Sequence, residues 1–377
     1  MKIHYLSHST FPSLQPSSLQ VMKMCEAFGW LGHDVVLFGF ENPDEKRDEF
    51  AFYDVRRVFR TVKFPRLKVK GLGMALYARK VVLASKGAGQ PDFFYGREAY
   101  SLLGCARFGK PLFYEVHVCP QQWGKRLIER ALFRSRPFRG LITVSTALKD
   151  LFIEAHRGLS DENTLTAHNA APEPRFVGEA GIPGLDFVQS DRFQVGYVGS
   201  VNETHGVDTI LLLAADHPDM DFHVLGGTPE VVRGWRKQSS SSNLHFHGHV
   251  QQARLAAWYR EFDLVIAPYQ RKVFSGNRRY EVTEFLIPFK LYEYMSYHKA
   301  IICSDLPAVR EVFSPGTNIW LVPPDDRDGW NRSLRRLRED TMLRETLASK
   351  AFELFEEGHT WEHRARRIMD FIGLRMG

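Results

Sequence analysis

The sequence predicts an α/β protein of two Rossmann-like domains in tandem, each a doubly wound parallel sheet, and three observations carry that expectation. Its 377 residues are about twice the commonest domain length, enough for two separate cores. Short apolar runs rich in Val, Ile, Phe and Tyr alternate with helical-period segments along the whole chain, the pattern of parallel strands covered by helices. The rhythm breaks once, at AAPEPRFVGEAGIPGLDFVQSD (170–191), whose three prolines and three glycines read as a linker. The domains are therefore expected at 1–177 and 178–360.

In the first half the strands are expected at 2–6, 34–39, 55–59, 92–95, 112–116, 140–144 and 163–167. In the second they are expected at 193–198, 220–225, 244–247, 263–267, 300–303 and 318–322. QSSSSN (238–243) reads as a surface loop. Residues 329–377 are helical by pattern, with a helix stop at Gly358 and an N-cap at Thr360 for the last helix.

Composition narrows the class of protein. With 44% hydrophobic, 25% charged and 13% aromatic residues, the chain reads as folded and globular rather than low-complexity or coiled-coil. Cys25, Cys105, Cys119 and Cys303 are too scattered for a disulfide framework or a structural zinc site, which fits a reducing compartment. The N-terminus runs straight into a strand without a cationic and apolar leader, and no stretch of about 18 apolar residues occurs, so a cytoplasmic location is expected.

The net charge of +6 is unevenly placed: residues 1–180 hold 26 Lys and Arg against 18 Asp and Glu, and the remainder is slightly acidic. The surplus concentrates in 54–80 and 123–139, where cations alternate with Phe, Leu and Trp. That mixture suits either ordinary solvated helix faces or an anionic membrane surface. Nucleic acid is not expected, because no binding motif accompanies the charge.

The most informative stretch is IPFKLYEYMSYHKAIICSDLPAVREV (287–312). Pro288 suits the first position of a helix, which would leave the N–H groups around Phe289, Lys290 and Leu291 as an anion site of the kind that holds a nucleotide diphosphate. Lys290 adds charge there, and one turn later Glu293 is placed to accept hydrogen bonds from two ribose hydroxyls.

The pattern Pro-x-Lys-Leu-x-Glu-Tyr-Met, followed by a strand and Ser-Asp-Leu-Pro, resembles the donor region of the family-four retaining glycosyltransferases, specifically a Lys-Leu-x-Glu-Tyr subgroup. The resemblance continues through YVGSVNETHGVDTIL (197–211), HVLGGTPE (223–230) and LHFHGHVQQARLAAWYREFDLVIAPY (244–269), and in the first half through FYGREAYSLL, FYEVH, LITVSTALKDLF and TAHNAAPEPRF. It implies the GT-B fold, two Rossmann-like domains facing a cleft, with a final helix over 361–377 crossing back onto the first domain. It also implies transfer of a hexose-type sugar, with retention, from a nucleoside-diphosphate sugar to a hydroxyl of a glycan or lipid-linked acceptor in polysaccharide or lipopolysaccharide assembly. Apart from that donor no cofactor is implied, and without an Asp-x-Asp after a strand no metal is either.

By the same resemblance Glu293, Lys290 and His117 are the catalytic candidates, with His117 at a strand end hydrogen-bonding the transferred sugar rather than abstracting a proton. Gly199, Ser200, His205, Gly226, Gly227, Pro288, Phe289, Leu291 and Glu284 are expected on the donor, and Ser17, Ser18 and Arg97 on the acceptor side. The chain also departs from the pattern. Ser200 and His205 stand where the family places an Arg and a Lys, and Phe285 stands where it places the first of two carboxylates, with Glu284 one place away. Replacement cations are sought in protonated His205, Lys290, Arg271, Lys272, Arg278 and Arg279. These departures leave open a catalytically degenerate binding or scaffolding subunit, and behind it a nucleotide-sugar epimerase or a phosphorylase.

Overall fold

The structure is a computed structural model that describes residues 1–66, 72–119, 122–174, 187, 190–275 and 280–376. The chain divides into two compact units, Met1–His168 with Trp361–Gly377, and Asn169–Thr360. The dividing line thus falls at His168 rather than 177. The reason is that Ala171 donates its N–H to the His359 carbonyl and bridges Thr360, which binds this stretch to the second unit.

The first unit has strands β1 (Lys2–Phe11), β2 (Asp34–Glu41), β3 (Arg60–Phe64), β4 (Phe93–Gly96), β5 (Leu112–Val116), β6 (Phe138–Thr143) and β7 (Thr164–Thr166). They form one parallel sheet in the order β3-β2-β1-β4-β5-β6-β7. Strands covered on both faces read as continuous apolar runs, and FFYG and LFYEV are buried at every position. The strand expected at 55–59 instead lies at 60–64. Residues 55–59 are a connection whose Val55 and Phe59 are buried, with the Arg56 N–H held by Glu26 at 2.6 Å.

The second unit has β8 (Phe193–Val198), β9 (Met220–Leu225), β10 (Leu244–Gly248), β11 (Leu264–Ala267), a short antiparallel pair β12 (Phe274–Ser275) and β13 (Tyr280–Glu281), then β14 (Ile301–Ser304) and β15 (Trp320–Val322). Its parallel sheet has the order β10-β9-β8-β11-β14-β15. In both units the strand order reverses beside the first strand. Ligands of open α/β sheets bind at such switch points, beyond the carboxyl ends of the strands.

The helical tail is broken where the sequence pattern reads on. Helix Arg327–Glu339 ends at Asp340, whose carboxylate accepts the Leu343 N–H (3.0 Å) and starts helix Thr341–Gly358. The last helix, Trp361–Met376, packs against helix Pro16–Trp30 and β6 inside the first unit. No helix among the described residues is long and apolar enough to cross a membrane.

Candidate functional site

At the switch point of the second unit the chain leaves β8 through Gly199 and Ser200 and leaves β9 through Gly226 and Gly227. These turns have no room for side chains. A Cβ at Gly226 would lie 1.9 Å from the Gly199 carbonyl oxygen, and one at Gly206 would lie 1.6 Å from that of Pro268. Glycine is therefore required here by the close approach of neighbouring backbone and of the Lys290 stem.

Lys290 reaches into this place from helix Phe289–Ser296. Its Nζ sits 3.7 Å from the centre of the Tyr197 ring and 5.0 Å from that of Tyr269, with its stem against Gly199. The residue is 6% exposed and the ammonium has no hydrogen-bond partner. Burial pushes its pKa down to about 7, against which Cys303 and Glu293 act weakly. Ring faces attract a cation but satisfy none of its three donors. The Tyr294 hydroxyl fastens the floor, accepting the Val198 N–H at 3.0 Å. One turn along, Glu293 accepts a hydrogen bond from Gln252 Nε2 at 3.1 Å.

Close by, in sequence with Gln252, a pocket of about 670 Å³ opens at the sheet edge, lined among others by Arg236, His247, Gln251, Arg254 and Trp258. His247 is held in the fold here through His223. His223 donates from Nε2 to Gln194 Oε1 (2.7 Å), because the Gln194 amide nitrogen is spent on the Arg192 carbonyl. Its Nδ1 then accepts from His247 Nε2 (3.0 Å). Among the described residues no group of three or more His, Cys, Asp or Glu is arranged for a metal ion.

The first unit has a buried polar network at the end of β5. Glu115, 1% exposed, accepts from Arg364 Nη2 (2.9 Å), Gln20 Nε2 (2.8 Å), His117 Nε2 (2.6 Å) and the Tyr95 hydroxyl. Burial opposes its ionisation, but Arg364, His117 and Arg97 outweigh burial and hold Glu115 well below the usual carboxylate range. An ionised Glu115 is acceptor-only, so His117 carries its proton on Nε2 and keeps Nδ1 as a lone-pair acceptor. Burial first, then Arg97, lowers the His117 pKa to about 4, so the ring is neutral at ordinary pH. Arg97 is oriented by one bond, Nη1 to Gln20 Oε1 at 2.7 Å.

The comparisons with known proteins bear on the fold and on the two halves of the chain. Residues 18–171 match a model described as Glycosyltransferase Family 4, and residues 208–370 one described as Glycosyl transferase-like. Each half is thus similar to a glycosyltransferase family, and the fold of the whole chain is GT-B. A curated relative, the phosphatidyl-myo-inositol mannosyltransferase of Mycolicibacterium smegmatis, is 28% identical over 195 residues, 50% of this chain and 47% of the relative. This chain thus matches about half the length of that relative. Among solved structures, sucrose-phosphate synthase from Thermosynechococcus elongatus superposes with a TM-score of 0.74 at 15% identity, covering 99% of this chain and 98% of that one. HepE from Anabaena, solved with UDP-glucose, gives 0.73 at 17% identity over 99% and 100%.

Several residues expected on the ligands are placed otherwise. Pro288 is the N-cap and Phe289 the first helical residue, and the Leu291 N–H is turned back onto the Pro288 carbonyl (3.1 Å) instead of outward. His205 cannot replace a cation: burial and then Lys290 push its pKa down to about 3. Nδ1 donates to the Ser200 carbonyl at 3.3 Å, so His205 can only offer a neutral ring. Arg271 is paired with Asp325 at 2.6 Å, and Arg278 and Arg279 lie outside the described residues. Phe285 is buried in the core and Glu284 is exposed, joined to neither Glu293 nor Lys290 by a hydrogen bond or ion pair. Ser18 is buried with its hydroxyl on the Thr10 carbonyl (3.0 Å), while Ser17 is half-buried; the helix they begin is capped by Gln15 without a side-chain bond.

Sequence reasoning missed Glu115, Gln20, Arg364, Gln252 and the Tyr197–Tyr269 cage. One signal for Glu115 was present: a carboxylate inside the buried run LFYEV demands a buried cation.

Proposed function

We propose that the chain is a retaining, metal-independent hexosyltransferase of the Lys-Leu-x-Glu-Tyr subgroup, which moves a sugar from a nucleoside diphosphate to a hydroxyl of a glycan or lipid-linked acceptor in cell-surface polysaccharide or lipopolysaccharide assembly. One observation carries it: Lys290, buried without a hydrogen-bond partner, lies against Gly199 at the switch point of the second unit. An ammonium in that state lacks an anion, and a diphosphate supplies one. Developing charge on the departing diphosphate is met by Lys290 and by the start of its helix, a preorganised environment of the kind that lowers such barriers. Glu293, braced by Gln252, accepts from the ribose hydroxyls, and the base occupies the adjoining pocket. His117 offers Nδ1 to a sugar hydroxyl and, being neutral and pinned by Glu115, is a positioning acceptor and not a base. The departing diphosphate itself takes the acceptor proton.

Thermal shift with UDP, GDP, ADP and their sugars tests the assignment, since a ligand of the folded state raises its melting midpoint. At least one nucleotide is expected to raise it, and silence across the panel points to the scaffolding alternative. Glu293→Ala and His117→Ala separate the two roles. The first is expected to remove most nucleotide affinity, the second to lower kcat while the nucleotide Kd stays put. Unchanged calorimetric affinity in Glu293→Ala, or full turnover in His117→Ala, refutes the corresponding role.

The acceptor side is proposed to rest on an anionic membrane in a cytoplasmic setting. On helix Trp123–Phe133, Trp123 is 77% and Leu127 51% exposed, beside exposed Arg126 and Arg130. Apolar anchors flanked by cations suit the headgroup region. Within 54–80 the cations Lys68 and Lys70 lie outside the described residues. Phosphatidylglycerol vesicles are expected to sediment the protein, and Trp123→Ser with Arg126→Gln to reduce it. Equal retention on phosphatidylcholine ends the proposal.

A further inference from the structure

We infer that the switch-point crevice of the first unit is an anion subsite, and that the acceptor carries a phosphate or carboxylate group near the hydroxyl it offers. This rests on the reading above that the acceptor is held on the first unit. Pairing between β1 and β4 ends at Leu6 with Gly96, after which the Arg97 N–H closes onto the Leu6 carbonyl at 2.8 Å. Cations from three further elements stand at the same carboxyl edge of the parallel sheet as His8 of β1: Arg66 just past β3, Arg97 just past β4, and Lys125 near the start of helix Trp123–Phe133, which follows β5. Desolvation and then the charges of Arg97, Lys125 and Arg66 oppose protonation of the His8 ring.

The nearby carboxylates do not balance these cations. Glu115 is matched by Arg364 beneath the crevice. Glu98 is buried and caps helix Ala99–Cys105, accepting the Tyr100 and Ser101 N–H groups at 2.9 and 2.6 Å. Glu129 is buried, accepts the Tyr114 hydroxyl (2.7 Å) and stands 3.9 Å from Lys125. Burial raises the pKa of both Glu98 and Glu129, which weakens them further as counter-charges. Arg66 rests on the Phe40 ring at 5.1 Å, and Arg97 has no carboxylate partner among the described residues.

Arg97 is also held ready. Its Nη1 donates to Gln20, which donates to Glu115, which Arg364 anchors. A guanidinium fixed through one nitrogen keeps its remaining N–H groups for a forked contact with an oxyanion. Arg66 and Arg97 make no ion pair among the described residues and Lys125 has only the buried Glu129 at 3.9 Å, so a bound anion would relieve the repulsion among them.

Calorimetry on the full chain with glycerol 3-phosphate and glucuronate, against glycerol and glucose, tests the subsite, with UDP as an independent reporter of the second unit. Glycerol 3-phosphate or glucuronate is expected to bind where the neutral pair does not, and whichever is tighter names the group as phosphate or carboxylate. Arg97→Gln should weaken that binding by about tenfold or more, the scale of one lost charge-assisted bond. Lys125→Gln, at the rim, should weaken it less, and the UDP response should hold in both variants. Binding that is equal for charged and neutral probes, or undiminished in both variants, overturns the inference. So does binding to phosphatidylglycerol vesicles alone, which assigns the cations to the membrane surface. If glycerol 3-phosphate binds and depends on Arg97 while no nucleotide binds, the subsite stands and the donor assignment fails.

Discussion

Replacing Lys290 by methionine is expected to cut nucleotide-sugar affinity roughly a hundredfold or more, since removing one partner of a buried charged contact costs about 2–5 kcal/mol. The pH dependence of the parent protein is the sharper test. In the free protein Lys290 titrates near 7, lowered by burial. A diphosphate favours the ammonium, so the pKa is higher in the complex. Below about 7 the lysine is already charged and affinity is level. Above it binding must take up a proton, and affinity falls by up to about tenfold per pH unit until the pKa of the complex is reached. Calorimetry of a UDP-sugar from pH 6 to 9 in buffers of different ionisation heat reads both affinity and proton uptake. Lys290→Met should bind weakly and without that slope. A level affinity in the parent protein between pH 7 and 9 removes Lys290 from the diphosphate.

Arg364→Met is expected to destabilise the first unit by about 3–5 kcal/mol, the usual cost of leaving one member of a buried ion pair alone. Arg364 is 3% exposed and joins three separate places: Glu115 at 2.9 Å, the His168 carbonyl at 2.9 Å and the Ala167 carbonyl at 3.4 Å. Without it Glu115 must either stay charged in a buried site or take a proton. The sign of the pH effect follows. In the parent protein the depressed Glu115 pKa contributes stability that is present above the ordinary carboxylate pKa and is lost as pH falls through the depressed value. In the variant that loss should begin at higher pH. Denaturant unfolding at several pH values measures it, and Arg364→Met combined with Glu115→Gln should recover part of the loss. A cost below about 1 kcal/mol would show the pair to be dispensable.

Every strand expected from the sequence has a counterpart, and the one clear displacement is instructive. Residues 55–59, VRRVF, carry the β-branched and aromatic residues of a strand, but the Arg56 N–H is taken by Glu26 and the ladder forms over 60–64. A local pattern measures burial, and a connection can bury Val55 and Phe59 as well as a strand does. The helix break at Asp340 failed for a related reason: the apolar periodicity continues through it, and only the Asp340 bond to Leu343 restarts the helix. At the site, Lys290 and Glu293 were legible because one helix turn fixes their spacing. Ser18 and His205 were not, because whether a hydroxyl or ring is free depends on Thr10 and Ser200 carbonyls that folding brings near.

By itself the sequence determined the alternation of strand and helix, the two-domain plan and the spacing of Lys290 and Glu293 on one helix. All of these follow from periodicity and from spacing over a few residues. Tertiary structure decided the charge states and the partners. Lys290 titrates near 7 because the fold buries it away from water. His117 is neutral because burial and Arg97 make it so, and Glu115 is ionised because Arg364, 249 residues away in sequence, lies against it. A pKa depends on desolvation and on charges nearby in space, and no local pattern encodes which distant residues the fold will bring there.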